Sequence, residues 1–425
     1  MPATSAPAQA GRRAKPKTLL VLTQVYVPDP ASVGQHLHDA AAQMARRGYR
    51  VVVLAAQRGY NDPSRKYPRR ERRDGVDIRR LPLSSFGKKS IGVRLLAQTV
   101  FVVLATLGAL CLRRLDGVLV STSPPFCPVA ALVIQFLRRV PVTHWAMDLN
   151  PDQMIAMGYL KPRSLVARSF DLVNRMILRR AARIVALDRY MAQRLEAKLP
   201  AGNRMIVMPP WPHVTAARPP VAHRCNPFRS EHGLQDRFVI MYSGNHGLPL
   251  PLATFLEAAV SFKHDPQMVF VFIGDGVRKQ EVNATISEHG MTNMLSLPYQ
   301  PIDNLPFSLA AADVHLVTMA DNMVGVIHPC KIYGAMAVGR PILLVGPDRC
   351  HISDIINEHG VGWQIRHGDV DGAIKLIDRM RRTAPDTLAC MGQRARQVVQ
   401  SRFSKQTLCD AFCNVIEQAL GVPAN

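Results

Sequence analysis

The feature that most restricts the fold of this chain is an alternation of strand-like and helix-like segments that runs twice with one break. In the first run, Thr18–Val25, Arg50–Ala55, Val76–Leu81, Gly117–Ser121, Val140–Ala146, Arg183–Leu187 and Arg204–Met208 read as strands. Gly34–Arg47, Pro128–Arg138 and Leu165–Ala182 read as helices set between them. Residues 209–233 are Pro-rich with little periodicity, which predicts a linker. The second run places strands at Phe238–Tyr242, Met268–Ile273, Asp313–Val317 and Pro341–Val345. Its helices fall at Pro251–Phe262, Arg278–His289 and around Lys331. Apolar strands alternating with helices predict parallel sheets wrapped by helices. The expected class is therefore α/β, with two Rossmann-like, doubly wound domains over 17–208 and 234–405. Two such units facing one another leave a cleft, where ligands of these sheets bind. The final helix, Thr407–Leu420 within 406–425, is expected to pack back on the first unit. Residues 1–16 read as a disordered basic tail.

Charge narrows the partners. The 425 residues carry 53 Lys+Arg against 31 Asp+Glu, a formal net charge of +22. That balance attracts nucleic acid, anionic lipid or phosphorylated substrates. Aromatics make up only 6%, and no RNA-recognition, zinc-finger or helix-turn-helix pattern is present, which disfavours nucleic acid. The eight cysteines include no C-x-x-C pair. Cys409 and Cys413 lie one helical turn apart with no histidine near in sequence, so buried free thiols in a reducing compartment are expected. The apolar run at Thr18–Val27 is short and ends at Pro28. It reads as a first strand, not a signal peptide, and a cytoplasmic location follows.

One segment bears on membranes. Leu95–Leu112 is an 18-residue uncharged run, about 27 Å long as a helix. Lys88, Lys89, Arg94, Arg113 and Arg114 flank it on both sides. A membrane-spanning helix would separate strands needed in one sheet. A helix partly sunk in the membrane surface is the favoured reading, with a plain core helix as the alternative. The basic stretch Arg65–Arg73 suits an anionic leaflet, and a solvated loop is its bland reading.

The chemistry-bearing residues fall at strand ends. Gly325–Pro341 reads GVIHPCKIYGAMAVGRP, with Pro329 suited to a helix's first turn, Lys331 beside it and Gly339–Pro341 as the stop. A helix start with unpaired N–H groups and a lysine favours an anion. The loop Tyr242–Gly247 (YSGNHG) follows a strand, so Gly244, Asn245 and Gly247 let backbone approach a phosphate, with His246 a possible donor or a turn residue. Gly274 and Gly276 make a sharp turn after the next strand, within reach of Arg278. In the first unit, Gly34 opens a helix after the first strand, and Thr122–Pro125 forms a similar turn. Asp148 ends the strand of HWAMDLNPD and is a candidate for acid–base or sugar contacts, together with Asp152, which could instead cap a helix. No D-x-D metal motif is present, so no metal is expected.

The order of these motifs carries a resemblance. DGVLV, SPP, DLNPD, PPW, YSGN, GDG, PCK and GRP, spread over Thr18–Ala373, resemble glycosyltransferase family 4 in its bacterial O-antigen, colanic-acid and capsule subgroup. The resemblance implies a GT-B fold and a nucleotide-diphosphate sugar donor, a UDP-sugar by preference. It further implies retention at the anomeric carbon and a saccharide acceptor on polyprenyl diphosphate, reached from the inner face of the cytoplasmic membrane. It assigns donor contacts to the glycine loops, Arg278, Pro329, Lys331 and Tyr333, an acceptor side to Gly34 and Asp152, and catalytic roles to Asp148 and Lys331. Two departures stand out. The acidic pair found in many members falls on Val326 and Gly334, leaving Asp321 as a distant substitute. Asn245 and Leu250 stand where many members carry Arg and Lys. A catalytically degenerate binding partner and a sugar-nucleotide 2-epimerase are the rival readings.

Overall fold

The computed structural model describes residues 15–29, 31–59, 62, 64–82, 91–214, 216 and 221–422, with side chains of 91–95 excepted. Most of the expected basic tail, and Lys88 and Lys89, lie outside the described residues.

The first unit runs β1 (Thr18–Leu22), α1 (Ser32–Arg46), β2 (Arg50–Ala56), β3 (Arg70–Arg73), β4 (Val76–Leu81), α2 (Ile91–Leu110) and β5 (Gly117–Ser121). It continues through α3 (Cys127–Arg138), β6 (Val142–Ala146), α4 (Asp152–Ala156), α5 (Leu165–Arg180), β7 (Arg183–Ala186), α6 (Arg189–Lys198) and β8 (Met205–Val207). The sheet order is β3-β4-β2-β1-β5-β6-β7-β8. The central strands β1, β5 and β6 are buried along their whole length, as unbroken apolar runs require in a sheet covered on both faces. β1 ends at Leu22, three residues short of the sequence expectation, because the chain turns to form the β1–α1 loop. Arg70–Arg73, expected as a solvated or membrane-facing basic segment, pairs antiparallel with β4 at the sheet edge. Charged residues suit an exposed edge because they discourage further pairing.

The second unit begins inside the segment expected as a linker, where α7 (Pro227–Glu231) sends Phe228 into a small core with Leu234 and Val239. Then come β9 (Phe238–Ser243), α8 (Ala253–Val260), β10 (Met268–Ile273), α9 (Lys279–His289), β11 (Met294–Leu297), α10 (Leu305–Ala310) and β12 (Val314–Thr318). α11 (Lys331–Ala337), β13 (Ile342–Val345), α12 (His351–His359), β14 (Gly362–Ile365), α13 (Val370–Arg381) and α14 (Pro385–Arg402) complete it. Its all-parallel sheet has the order β11-β10-β9-β12-β13-β14.

The last helix, α15 (Lys405–Ala419), returns to the first unit and lies against α1. Phe412 packs 4.2 Å from the Trp145 ring, which stacks on Trp211. Arg47 pairs with Asp410 and Glu417, and Lys405 with Asp39. Trp211 of the connecting segment donates from Nε1 to Asp39 as well. One apolar cluster runs from this first-unit core into Val317, Met323, Ile332 and Tyr333 of the second, so the two units share packing.

The apolar run at 95–112 forms most of α2, which packs on α3 and on β2. Ala97, Phe101, Ala105 and Ala109 face inward, while Leu96, Val103 and Leu107 stay exposed. Among the described residues, no helix is long and apolar enough to cross a membrane. All eight cysteines are free. Cys127, Cys350, Cys409 and Cys413 are buried, but Cys111, Cys225 and Cys390 are exposed, against the expectation of burial throughout.

Candidate active site

Strand order predicts where a ligand belongs. In the first sheet the order reverses beside β1 and β5, and in the second beside β9 and β12. Loops leaving the carboxyl ends of such strands diverge and open a crevice. The β9 and β12 loops carry Gly244–Gly247 and the segment leading to Lys331. The β5 and β6 loops carry Thr122 and Asp148.

On the second unit the two glycine loops interlock. Gly244 has φ +130, Gly274 φ +127 and Gly276 φ +142, a region that L side chains avoid. A Cβ on Gly274 would lie 2.0 Å from Gly244 O, and one on Gly276 2.6 Å from His246 O. Backbone of one loop thus packs directly on backbone of the other.

Lys331 reaches over this floor. α11 starts at Lys331 itself, so Pro329 precedes the helix and is buried, which corrects its expected place in the first turn. Lys331 Nζ stands 3.5 Å from the centre of the Tyr242 ring and 3.4 Å from Asn245 O. Tyr242 is itself fixed by donating its hydroxyl to Asn245 O at 2.7 Å. Burial pushes the Lys331 ammonium well below its ordinary pKa. The ring face and carbonyl favour the charged form, and an anion bound there would favour it more.

Across the cleft, Thr122 Oγ1 accepts from the N–H groups of Met147 and Asp148, at 3.1 and 3.0 Å. Leu149 N–H donates to Val326 O of the second unit at 2.9 Å, anchoring the Asp148 loop from both sides. Asp148 is open to cleft water, yet protein encloses it closely enough for desolvation to raise its carboxyl to about 6. His144 lies beneath, fully enclosed, and burial lowers it to about 4. It is a neutral core imidazole, not a partner at the surface of the site.

Several expected contacts face elsewhere. His246 is buried under its loop, 4.7 Å from the Tyr242 ring, with burial lowering it to about 3. Tyr333 is buried too; its ring meets Phe403 and its hydroxyl bonds His328. Arg278 is occupied by Leu248 O and Glu281. Asp152 sits in the first turn of α4 without capping it and pairs with Lys198 at 2.7 Å. Gly34 has an internal reason: a Cβ there would lie 3.0 Å from Tyr26 Cα. Asp321 is exposed on a short turn, and Val326 is wholly buried. What remains facing the cleft is Lys331, the Gly244–Asn245 backbone, the Gly274–Gly276 turn and Asp148. Sequence reasoning missed Tyr242 as the lysine's platform and Thr122 as the anchor of Asp148. Each lies within a motif already singled out, but only the fold shows which atoms meet.

Two Rossmann-like α/β units, joined by a connecting segment and sharing apolar packing, define the GT-B class. Residues 32–211 match the family described as a glycosyl transferase 4-like domain. A protein named as a glycosyltransferase, WbjE of Pseudomonas aeruginosa, is 28% identical over 72% of this chain and 76% of its own. WcaI of Escherichia coli K12, named as a colanic acid biosynthesis glycosyl transferase, is 25% identical over 76% of this chain and 81% of its own. Among solved structures, sucrose-phosphate synthase of Thermosynechococcus elongatus superposes with a TM-score of 0.75 at 14% identity, covering 95% of this chain and 99% of that one. HepE of Anabaena, in complex with UDP-glucose, gives 0.69 at 16% identity, covering 94% and 99%. The family match over the first unit and these relatives support a glycosyltransferase of the family 4 type.

Proposed function

We propose that the protein transfers a sugar, with retention, from a UDP-sugar to a saccharide carried on polyprenyl diphosphate, in the assembly of a bacterial surface polysaccharide. The observation that carries this reading is Lys331 Nζ, poised over Tyr242 beside the Gly244–Asn245 backbone. The nucleotide diphosphate lies on the glycine loops with its charge against Lys331. The bond from C1 of the sugar to the β-phosphate oxygen breaks, and the acceptor oxygen bonds C1 on the same face. The acceptor's proton passes to the departing phosphate. A fixed cation and oriented N–H groups stabilise the charge that grows on the leaving group. Asp148 orients the acceptor or offsets positive charge developing on the sugar ring. The names of WbjE and WcaI and the UDP-glucose held by HepE support donor and pathway class.

A site at the cytoplasmic membrane surface fits the outer layer of the first unit. α2, α3 and α5 form one layer, since α3 packs on both neighbours. It exposes Leu107, Phe136, Leu137 and Leu165, interspersed with exposed Arg139, Arg168 and Arg175. Apolar side chains among arginines suit an anionic bilayer.

The decisive experiment is thermal shift with UDP-, GDP- and dTDP-sugars on wild type and Lys331→Ala. One nucleotide class is expected to raise Tm of wild type, and Lys331→Ala to abolish that rise while its own Tm stays within a few degrees. Turnover should fall by about 100-fold or more, the usual scale for losing a charge stabiliser. Equal stabilisation of both proteins by the same nucleotide would refute the assignment of Lys331.

A further inference from the structure

Behind the Lys331 turn lies a buried polar cluster that the transfer step does not use. Asp188, N-cap of α6, belongs to the first unit, and His328, Tyr333 and His351 belong to the second. All four are nine-tenths or more buried. Asp188 Oδ1 accepts from Met191 N–H at 2.8 Å, capping α6. Its Oδ2 lies 2.7 Å from His328 Nδ1, and His328 Nε2 lies 2.9 Å from the Tyr333 hydroxyl. The His351 ring lies flat on His328, centroids 3.7 Å apart and planes 18° from parallel, with Nδ1 3.6 Å from Asp188 Oδ2.

A carboxylate and two imidazoles at such distances could be taken for an ion site. The stacking argues otherwise. Imidazole lone pairs lie in the ring plane, so two nearly parallel rings direct them along separate planes and not towards one tetrahedral centre. The Tyr333 hydroxyl also occupies one His328 nitrogen. The cluster is a hydrogen-bond relay. Burial by itself would raise the Asp188 carboxyl, but the His328 bond and the nearby His351 outweigh it and hold it at about 2. An ionised carboxylate only accepts, so His328 donates to it from Nδ1.

The relay crosses the unit boundary where the two units pack backbone against backbone. A Cβ on Gly325 would lie 2.6 Å from the Tyr190 backbone, so only glycine lets this segment meet α6. Arg194 donates to Val324 O at 2.6 Å, and Arg189 holds Asp354 through two bonds of 2.8 Å. Pro329, Cys330, Lys331 and Ile332 are the residues spanned by His328 and Tyr333.

We infer that Asp188 is a positioning residue for the donor site: by holding His328, and through it Tyr333, the acceptor-side unit sets the Pro329–Lys331 turn and thereby the placement of Lys331 over Tyr242. The inference rests on the reading of Lys331 as the diphosphate contact.

Two variants of the full-length protein test it. Asp188→Ser keeps a good N-cap for α6 but is too short to reach His328. Tyr333→Phe deletes one hydroxyl at the far end. Hydrogen–deuterium exchange, UDP affinity and UDP release from UDP-glucose and UDP-N-acetylglucosamine are measured for each and for the double variant. Each single variant is expected to raise exchange about 10-fold over residues 330–335, leaving β9 and β10 unchanged. It should cut saturated UDP release about 10-fold with KM within about 3-fold, and the double variant should be no worse than either. Unchanged exchange at 330–335 would overturn the inference. So would a rise across both units in step with a falling Tm, which would make Asp188 merely structural. If exchange responds as expected while wild type neither binds UDP nor releases it, the relay stands and the donor reading falls.

Discussion

Lys331 and Asp148 come from different units, and both are shifted by enclosure towards their neutral forms. For Asp148 the consequence is readable in pH. With a carboxyl raised to about 6, it is mostly ionised at neutral pH and loses its charge as pH falls through 6. If the carboxylate is the working form, kcat drops about tenfold per pH unit below that point. Asp148→Asn should then remove the acidic limb and leave a flat, low profile, and an unchanged limb would assign it to another group. The sequence singled out Asp148 as a residue that follows a strand end and Lys331 as one beside a proline at a helix start. Tyr333 was expected to touch the donor and is buried instead, whereas His246 packs within its own turn, the second of the two roles open to it. A motif reports which residues cluster along the chain, whereas burial of His246 beneath its own loop depends on Tyr242 and Phe272 packing over it. Asp188, His328 and His351 carried no sequence signal, since 140 positions separate Asp188 from His328.

At the scale of elements, the interlocked glycine turns set the floor of the site. Gly274→Ala forces a Cβ to within 2.0 Å of Gly244 O at φ +127. A cost of about 3 kcal/mol or more follows from strain of this kind, together with loss of nucleotide-induced stabilisation in thermal melts. A variant as stable as wild type would show that the loops can part. The α2 layer makes a separate claim. Glutamate at both Leu107 and Phe136, exposed by 54% and 70%, should leave Tm nearly unchanged but reduce sedimentation with anionic vesicles several-fold. Equal sedimentation would remove the membrane reading. Most strands were predictable because buried parallel strands are unbroken apolar runs. β3 was missed because an edge strand reading Arg-Glu-Arg-Arg looks like a charged loop. β14 was missed because it is only half-buried along its length, and α6 because its apolar stripe is short.

Across the whole molecule, α15 makes the first unit depend on the far end of the fold. Phe412 fills the space over Trp145 and Trp211 and is completely buried. Phe412→Ala should cost about 3–5 kcal/mol. Because one apolar cluster joins both units, calorimetry should show a single transition shifted down, and not a first-unit transition splitting from an unmoved second. The same arrangement orders events during synthesis. Trp211 emerges from the ribosome long before Lys405, and at ~5–20 residues per second the interval is roughly 10–40 s. Throughout it the tryptophan pair lacks its cover, and a translating ribosome carries a nascent unit that stays sticky until α15 is made. A helix used to close a fold therefore also sets how long the newborn chain needs a chaperone.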